Sequence, residues 1–442
     1  MVIARQNNPR RQRFNIILAV LALAAFTAAP ALAQRLSPLA PRPVWSELQR
    51  YQQTMTRDEF VHLLQTLYAP DGGWEPFITI GDDLARIVTD SSHSDQFFEL
   101  RFASAAKPAK VKSGFWRTRA QIRDSRRDTP AALGRPLDGL RIALDPGHLG
   151  GEWAKMEERW FQIGDAPPVK EGEMTLAVAK MLAPRLEALG ATVMWVRREN
   201  GPVTTSRPEN LTDTARASLA DRGVADTKET YSDRADPDRE KSIQWEAERL
   251  FYRISEIRTR ARLVNDVLQP DVTLCLHFNA EEWGDPAKPE LVDKNHLHLL
   301  VNGNYSAAEL RYDDVRFEML SRLLGRVHEE EIPLAETVAG ALARATALPP
   351  YEYVDGHAIR VGSSPYVWAR NLLANRLYRC PVIYCEPYVM NSPEVFARVQ
   401  AGDYEGLREV AGRERPSIVR EYADAVIAGI LEAYAPPAAG RR

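Results

Sequence analysis

Buried strands and amphipathic helices alternate through the second part of the chain. Residues 140–144 are apolar enough for a central strand, and the Asp-Pro-Gly turn at 145–147 ends it because proline cannot continue a β-ladder. Apolar positions three and four apart then predict a helix over 171–189, and residues 191–196 predict the next strand. Strand, helix and strand in this order form the βαβ unit of a parallel sheet. The pattern therefore predicts an α/β domain.

Three further apolar segments are typical of buried strands. They cover 272–276, 297–301 and 381–385. Helices are predicted where apolar residues recur at helical spacing, and these segments are 243–268, 312–331, 334–347 and 418–434. The polar stretch 197–239 is too long for a tight connection. It is predicted to be disordered, a lid or an inserted element.

Residues 34–136 differ in character from the rest of the chain. Helical spacing covers 45–67, and short alternating segments typical of strands follow it at 75–80, 84–88 and 96–102. Residues 106–136 are basic and polar with scattered prolines, as in a linker or an extended arm. We therefore predict a small α+β accessory domain with its linker over 34–136, ahead of the larger α/β domain over 137–436.

The first 33 residues have the features of a secretory signal peptide. Four arginines precede an apolar run over 16–29, and an Ala-Leu-Ala cleavage site follows at 31–33. The apolar run is too short to favour a membrane anchor, so no stable membrane span is expected after cleavage behind Ala33. The predicted location is periplasmic or secreted, and residues 437–442 are predicted to be a loose tail.

The charge of the chain argues against one class of partner. The 442 residues carry a formal net charge of −3, which becomes −7 when the four arginines of the leader are removed. A mildly acidic protein is a poor nucleic-acid binder. We therefore predict no nucleic-acid partner.

The cysteines and one pair of histidines add no second metal site. Cys275, Cys380 and Cys385 lie in or beside apolar strands, and an odd number in such positions is typical of small buried hydrophobic residues. A disulfide between two of them stays open, because an exported protein could form one. The His-Leu-His sequence at 296–298 has no third ligand at a usable spacing, and both histidines are predicted to lie on the surface.

Histidines and carboxylates occur where α/β proteins build their sites. His148, His277 and Glu386 each follow a buried strand, and Glu171 begins the helix of the βαβ unit. The carboxyl ends of strands in an open α/β sheet are the usual place for a site. One histidine alone would more often cap a turn, but three such endings argue for a shared site. Two histidines and a carboxylate are the ligands of a catalytic zinc ion, and a further glutamate serves as its general base.

Such a centre implies a definite reaction type, in which zinc lowers the pKa of its bound water to roughly 7. The base takes the proton as water attacks a carbonyl and hands it to the departing amine. Several assignments stay open. Glu173 could replace Glu171 if the helix register shifts, and Asp145 and Asn279 either orient the histidines or form turns. Arg376 either faces the substrate or pairs with a carboxylate.

Four ordered motifs resemble the zinc-dependent N-acetylmuramoyl-L-alanine amidases of the amidase-3 type, which are cell-wall hydrolases. The Asp-Pro-Gly-His turn at 145–148 resembles the first motif, and residues 171–176 resemble the Glu-x-x-x-x-Leu helix start. Residues 260–265 and 271–280 resemble the third motif, a helix and the strand that ends in His-x-Asn-Ala. The last motif is matched by Arg376, Pro381, Glu386, Asn391 and Glu394.

The resemblance implies a fold, a ligand set and a substrate. The fold would be a largely parallel or mixed six-stranded sheet flanked by helices. His148, Glu171 and His277 would bind one zinc ion, and Glu386 would be the catalytic glutamate. The reaction would be hydrolysis of the amide between N-acetylmuramic acid and L-alanine in peptidoglycan, and a regulatory protein partner is possible for such an enzyme.

Departures from the family pattern leave alternatives open. A tryptophan-bearing insert at 151–170 and the stretch 197–239 are additional, and Phe278 and Pro387 replace smaller or more flexible residues. These changes affect the walls of the cleft more than its centre. The alternatives are a catalytically gated or inactive amidase-fold protein that binds or regulates the cell wall, and a zinc peptidase that acts on another amide.

Overall fold

The computed structural model describes residues 35–104, 114–125, 135–285 and 288–435. The predicted signal peptide and the predicted loose tail lie outside these residues, as does most of the predicted linker. Among the described residues, no helix has both the length and the apolar character needed to cross a lipid bilayer.

The strands of the described chain are β1 (Ile78–Ile80), β2 (Leu84–Val88), β3 (Phe97–Arg101), β4 (Arg141–Pro146), β5 (Trp160–Phe161), β6 (Val169–Lys170), β7 (Thr192–Trp195), β8 (Val272–Leu276), β9 (Leu297–Val301), β10 (Ile359–Arg360), β11 (Val367–Ala369), β12 (Val382–Pro387), β13 (Arg408–Val410) and β14 (Arg413–Arg415).

The helices are α1 (Arg57–Leu63), α2 (Arg119–Asp124), α3 (Trp153–Met156), α4 (Glu171–Ala188), α5 (Thr212–Asp221), α6 (Ile243–Arg249), α7 (Glu256–Arg262), α8 (Ala307–Leu310), α9 (Asp313–Leu324), α10 (His328–Thr346), α11 (Leu373–Leu377), α12 (Pro393–Gln400) and α13 (Ile418–Tyr434). Short 3-10 turns cover Trp45–Tyr51, Pro208–Leu211 and Arg239–Lys241, and π-helical turns cover Leu64–Tyr68, Leu250–Ser255 and Leu263–Leu268.

A mixed sheet of seven strands in the order β10-β11-β9-β12-β8-β4-β7 forms the centre of the larger domain. The neighbours β7, β4, β8 and β12 are parallel, whereas β9 runs antiparallel to β12. The predicted fold class, a largely parallel or mixed sheet flanked by helices, is confirmed. The resemblance implied six strands, and the sheet gains a seventh through the two-residue edge strand β10.

Helices cover both faces of the sheet because its central strands are apolar on both sides. In β4, Ile142 and Leu144 belong to a core that also contains apolar residues of α4, α10 and α13. Ala143, which lies between them, packs with residues of α7 and α11 on the opposite face. Alternate side chains of a strand point to opposite faces, so a strand buried on both sides reads as a continuous apolar run.

The polar stretch 197–239 is folded in the structure and contains the helix α5. Its α5 packs through Ala215 and Leu219 against Ile243 and Ala247 of α6. The predicted helix over 243–268 is present as α6 and α7 with a π-helical turn after each, and it ends at Gln269 in a left-handed conformation. The apolar residues that recur at helical spacing over 243–268 therefore form a packing surface.

The helices at 312–331 and 334–347 are divided differently from the prediction. The break was expected before Pro333, but the chain turns at Arg326, which has φ +55°, and Pro333 lies inside α10. Proline in the second turn of a helix removes one backbone hydrogen bond. The packing of α10 along α13 and β9 keeps the helix continuous through that position.

Elements of the N-terminal region pack against the larger domain. The α+β elements predicted there are present as α1 and the antiparallel sheet β1–β3. The rings of Trp45 and Phe317 meet edge to face with centroids 5.5 Å apart, and Ser91 Oγ donates to Asp313 Oδ1 at 2.7 Å. The domain boundary at residue 136 stays a prediction.

Asp271, just before β8, contacts arginines from two other segments of the chain, Arg117 and Arg141 of β4. Its carboxylate is buried and accepts from Arg117 Nη2 at 2.6 Å and from Arg141 Nη2 at 2.8 Å. We expect Asp271→Asn to lower the free energy of unfolding by about 2 kcal/mol, because the guanidinium groups lose a charged acceptor. Urea denaturation would measure it. Asp424, in an exposed ion pair with Arg185, is the control, and its Asn variant should differ from wild type by less than about 0.5 kcal/mol.

The same contact sets a pH dependence. Burial would raise the pKa of Asp271, but Arg117 and Arg141 outweigh burial and hold that pKa below its ordinary value. The contribution to stability is therefore fully present above the unfolded-state pKa of about 3.9 and is lost as the pH falls through the lower folded-state pKa. Equal acid sensitivity of wild type and Asp271→Asn would contradict this assignment.

Candidate metal centre

Two histidines and one glutamate meet at the carboxyl ends of β4 and β8. His277 directly follows β8, Glu171 is the first residue of α4, and His148 lies two residues beyond β4 with φ +58°. One ligand atom from each of the three side chains lies within 4.8 Å of the others. The structure therefore brings together the three residues that the sequence predicts as metal ligands.

Glu171 lies between the two imidazoles. Its Oε2 is 3.3 Å from His148 Nε2, and its Oε1 is 3.3 Å from His277 Nδ1. The rings of the two histidines are nearly perpendicular, with centroids 4.9 Å apart. Glu173, the alternative from a shifted register, instead accepts from Lys170 Nζ at 3.0 Å and lies on the outer side of the helix start.

The protonation of the centre follows from burial and mutual attraction. Burial lowers the pKa of His148 well below its ordinary value, which favours the neutral imidazole that binds metals. Burial alone would raise the pKa of Glu171, but His148 and His277 lower it overall. For His277 burial opposes protonation, yet Glu171 and Glu386 raise its pKa. A negative carboxylate between two histidines is a donor arrangement that suits a divalent cation.

Two glycines allow the loops of the centre to approach each other. A Cβ atom on Gly147 would lie 2.2 Å from His277 Cε1, and one on Gly172 would lie 2.2 Å from the carbonyl carbon of Leu149. The backbone N–H of Gly147 also donates to the Leu276 carbonyl at 2.8 Å. Glycine is thus required at residue 147 by close approach to the second histidine.

Buried arginines hold the loop that carries His148. Arg260 donates to Asp145 Oδ1 at 2.9 Å, to the Pro146 carbonyl at 2.9 Å and to the His148 carbonyl at 3.3 Å. Arg197 donates to the Gly172 carbonyl at 2.9 Å. Burial, together with the charge of Arg260, lowers the pKa of Arg197 to about 9. Asp145 therefore supports the loop through Arg260.

The remaining candidates make other contacts in the structure. Asn279 Oδ1 accepts the Ala280 backbone N–H at 2.8 Å, which is a local turn contact. Arg376 is buried and donates to Glu318 Oε2 at 2.6 Å and to Asn371 Oδ1 at 3.0 Å. These placements correspond to the turn-forming alternative for Asn279 and the ion-pair alternative for Arg376.

Glu386 lies at the end of β12, the strand next to β8. Cys385 and Leu276 are paired in register, and the His277 N–H donates to the Cys385 carbonyl at 3.0 Å. Burial, with a smaller contribution from Glu171, raises the pKa of Glu386 to about 7, although His277 opposes this. A carboxyl group with such a pKa can both accept and release a proton near neutral pH.

The structure adds two residues that the sequence analysis missed, both from the insert at 151–170. Glu157 Oε1 lies 2.7 Å from His148 Nδ1, and Arg159 Nε donates to His148 Nε2 at 3.2 Å. A carboxylate nine positions beyond the first histidine was visible in the sequence. The conformation of the insert was unknown, however, so the spacing of nine residues did not predict that Glu157 would contact His148.

His296 and His298 are buried, so the prediction that both lie on the surface is wrong. The reason is the position of β9, which lies between β12 and β11 inside the sheet. His296 Nε2 is 2.8 Å from Glu281 Oε1, and His298 Nε2 is 3.1 Å from the Tyr353 hydroxyl. Cys275, Cys380 and Cys385 are free and buried, as expected of small hydrophobic residues.

Comparison with known proteins gives structural similarity only. No family model matches the sequence, and no curated protein does. The fold is similar to the N-acetylmuramyl-L-alanine amidase Ami1 of Mycobacterium abscessus, with 14% identity, 67% of this chain and 99% of that chain covered and a TM-score of 0.35. It is also similar to the CwlD amidase of Clostridioides difficile in complex with the GerS lipoprotein, with 12% identity, 67% of this chain and 98% of that chain covered and a TM-score of 0.36. A third similar structure is the N-acetylmuramoyl-L-alanine amidase AmiC2 of Nostoc punctiforme, with 14% identity, 67% of this chain and 97% of that chain covered and a TM-score of 0.33.

These solved structures carry names of the class that the four sequence motifs resemble. At such identities and TM-scores the likeness carries no argument about what this chain does. The function is therefore argued from the residues of the centre.

The close approach at Gly147 generates a prediction. Gly147→Ala places a methyl group against the imidazole of His277, so we expect zinc affinity to fall at least about tenfold while the far-UV circular dichroism spectrum stays close to that of wild type. Competition with a chelating indicator measures the affinity. Gly201→Ala is the matched control, because its Cβ would lie 3.9 Å from Trp153 Nε1, an ordinary contact. Wild-type zinc binding by Gly147→Ala would show that the turn tolerates a side chain.

Proposed function

We propose that the chain is a zinc-dependent N-acetylmuramoyl-L-alanine amidase that hydrolyses the amide between N-acetylmuramic acid and L-alanine in peptidoglycan. The observation that carries the proposal is the buried His148–Glu171–His277 centre with Glu386 at the end of the neighbouring strand. The order of the four sequence motifs supports the substrate class. The amidase names of the similar solved structures agree with it.

The residues of the centre fit a zinc ion. Two imidazole nitrogens and one carboxylate oxygen are the donor set of a catalytic zinc site with a position left for water. The contact between His148 Nδ1 and Glu157 leaves Nε2 to face Glu171, and Nε2 also accepts from Arg159 Nε at 3.2 Å. When bound, zinc lowers the pKa of a water molecule to roughly 7 and polarises the substrate carbonyl.

The side chains of the chain account for the proton transfers. Glu386 accepts a proton from the attacking water as the water oxygen bonds to the lactyl carbonyl carbon. It then donates that proton to the alanine nitrogen as the carbon–nitrogen bond breaks, so the products are a carboxylic acid and a free amine, which become carboxylate and ammonium at neutral pH. A pKa of about 7 for Glu386 suits a group that performs both transfers.

Location and partners belong to the same proposal. Peptidoglycan lies outside the cytoplasmic membrane, which agrees with a signal peptide over residues 1–33 and a periplasmic or secreted enzyme. The CwlD amidase was solved in complex with the GerS lipoprotein. We extend the proposal to a regulatory protein partner for this chain, which co-purification from the periplasm would test.

Product analysis tests the reaction. We expect the purified protein to convert muropeptides into peptide-free glycan and peptides with a free L-alanine amine, as measured by mass spectrometry. A chelator should abolish the conversion, and added zinc should restore it. Cleavage within the stem peptide would point to a zinc peptidase, and binding of peptidoglycan without cleavage would point to a gated or inactive amidase-fold protein. Either result contradicts the proposed function.

Glu386→Gln tests the general base. The amide retains the size of the carboxyl group but cannot accept the proton, so we expect turnover to fall by roughly 10²–10⁴-fold with zinc affinity close to that of wild type. Glu173→Gln is the control, because Glu173 lies in the first turn of the same helix as Glu171, yet its partly exposed side chain pairs with Lys170. A fully active Glu386→Gln variant would remove Glu386 from this role.

A further inference from the structure

Glu157 uses both of its carboxylate oxygens on the loop that carries the first histidine. Oε1 lies 2.7 Å from His148 Nδ1, and Oε2 accepts the Leu149 backbone N–H at 2.6 Å. The side chain is only 10% exposed. Two short contacts on adjacent residues of one loop fix both the ring of His148 and the backbone beside it.

The contact also selects the tautomer of His148. Arg159 Nε donates to His148 Nε2 at 3.2 Å, so Nε2 is the acceptor and Nδ1 carries the proton that it donates to Glu157 Oε1. The lone pair is then on Nε2, the nitrogen that faces Glu171 Oε2 at 3.3 Å. A carboxylate that holds the second nitrogen of a metal-binding histidine fixes its orientation and increases its basicity.

The insert is itself fastened to a second residue of the centre. Glu157 caps the end of α3, and the β5–β6 hairpin that follows leads directly into Glu171. The Glu171 backbone N–H donates to the Arg159 carbonyl at 3.2 Å, and Arg159 Nε is 3.5 Å from Glu171 Oε2. The insert therefore contacts His148 through one residue and Glu171 through another.

We propose that Glu157 is a positioning residue which orients His148 for metal binding, and that the insert at 151–170 braces two of the three ligands. The proposal rests on the zinc centre of the proposed function. It assigns to the insert a part in metal binding in addition to any contact with substrate. The insert and the metal affinity are then linked through the contacts of Glu157 with the His148 loop and of Arg159 with Glu171.

Zinc affinity of the full protein tests the proposal without reference to turnover. Competition with a chelating indicator would compare wild type, Glu157→Ala, Glu157→Gln and the control Glu152→Gln, an exposed glutamate in the same insert. We expect Glu157→Ala to bind zinc about 10–100-fold more weakly. Glu157→Gln should lose less, because its amide oxygen still accepts from Nδ1, and Glu152→Gln should match wild type.

The visible absorption of the cobalt-substituted protein supplies a second readout, because it reports the ligand geometry. A changed cobalt spectrum in Glu157→Ala with partial recovery in Glu157→Gln supports positioning. Wild-type zinc affinity and cobalt spectra in both variants, with or without a loss of thermal stability, overturn it. If Glu157→Ala does not fold, the Gln variant decides by the same two measurements. If the wild-type protein shows no amidase activity but Glu157→Ala still binds zinc more weakly than wild type, the positioning role of Glu157 is supported and only the proposed reaction is contradicted.

Discussion

Parallel hydrogen bonding between β4, β8 and β12 brings the ends of three strands to one edge of the sheet, and the centre depends on this alignment. Leu144 pairs with Leu274, and Leu276 pairs with Cys385. The residues that follow are then forced into a common space, and the fit is close enough that a single methyl group on Gly147 would meet His277. Register in this part of the sheet is therefore a chemical requirement as well as a packing one.

Buried charges hold both ends of these strands. At one end Asp271 accepts from two arginines. At the other end Arg260 joins Asp145 to Glu256 and to the carbonyl of Pro146. Each buried charge meets an opposite charge and further hydrogen bonds, which is the condition under which burial of ions is tolerated. The loop that carries His148 is held by the contacts of Arg260 with the Pro146 and His148 carbonyls.

Features of the fold and site that depend on local sequence could be predicted, whereas features that depend on contacts between distant segments could not. The strands before His148, His277 and Glu386 could be predicted, because apolar runs and turn residues act locally. The burial of His298 and the ion pair of Arg376 with Glu318 could not, because they depend on which strands and helices become neighbours. The gap predicted between the helices at 312–331 and 334–347 was misplaced for the same reason, because the long-range packing of α10 keeps that helix continuous through Pro333.

The aromatic residues of the insert at 151–170 pack against residues outside it. Trp153 packs on Phe251 with ring centroids 5.4 Å apart, and Phe161 is buried against Trp283 at 5.5 Å. These side chains anchor the insert to the body of the domain, so they act on the position of Glu157 between them. A substitution that loosens either anchor would move the carboxylate that holds His148. The segment 151–170 is thus joined to His148 through Glu157 and to the body of the domain through its aromatic side chains.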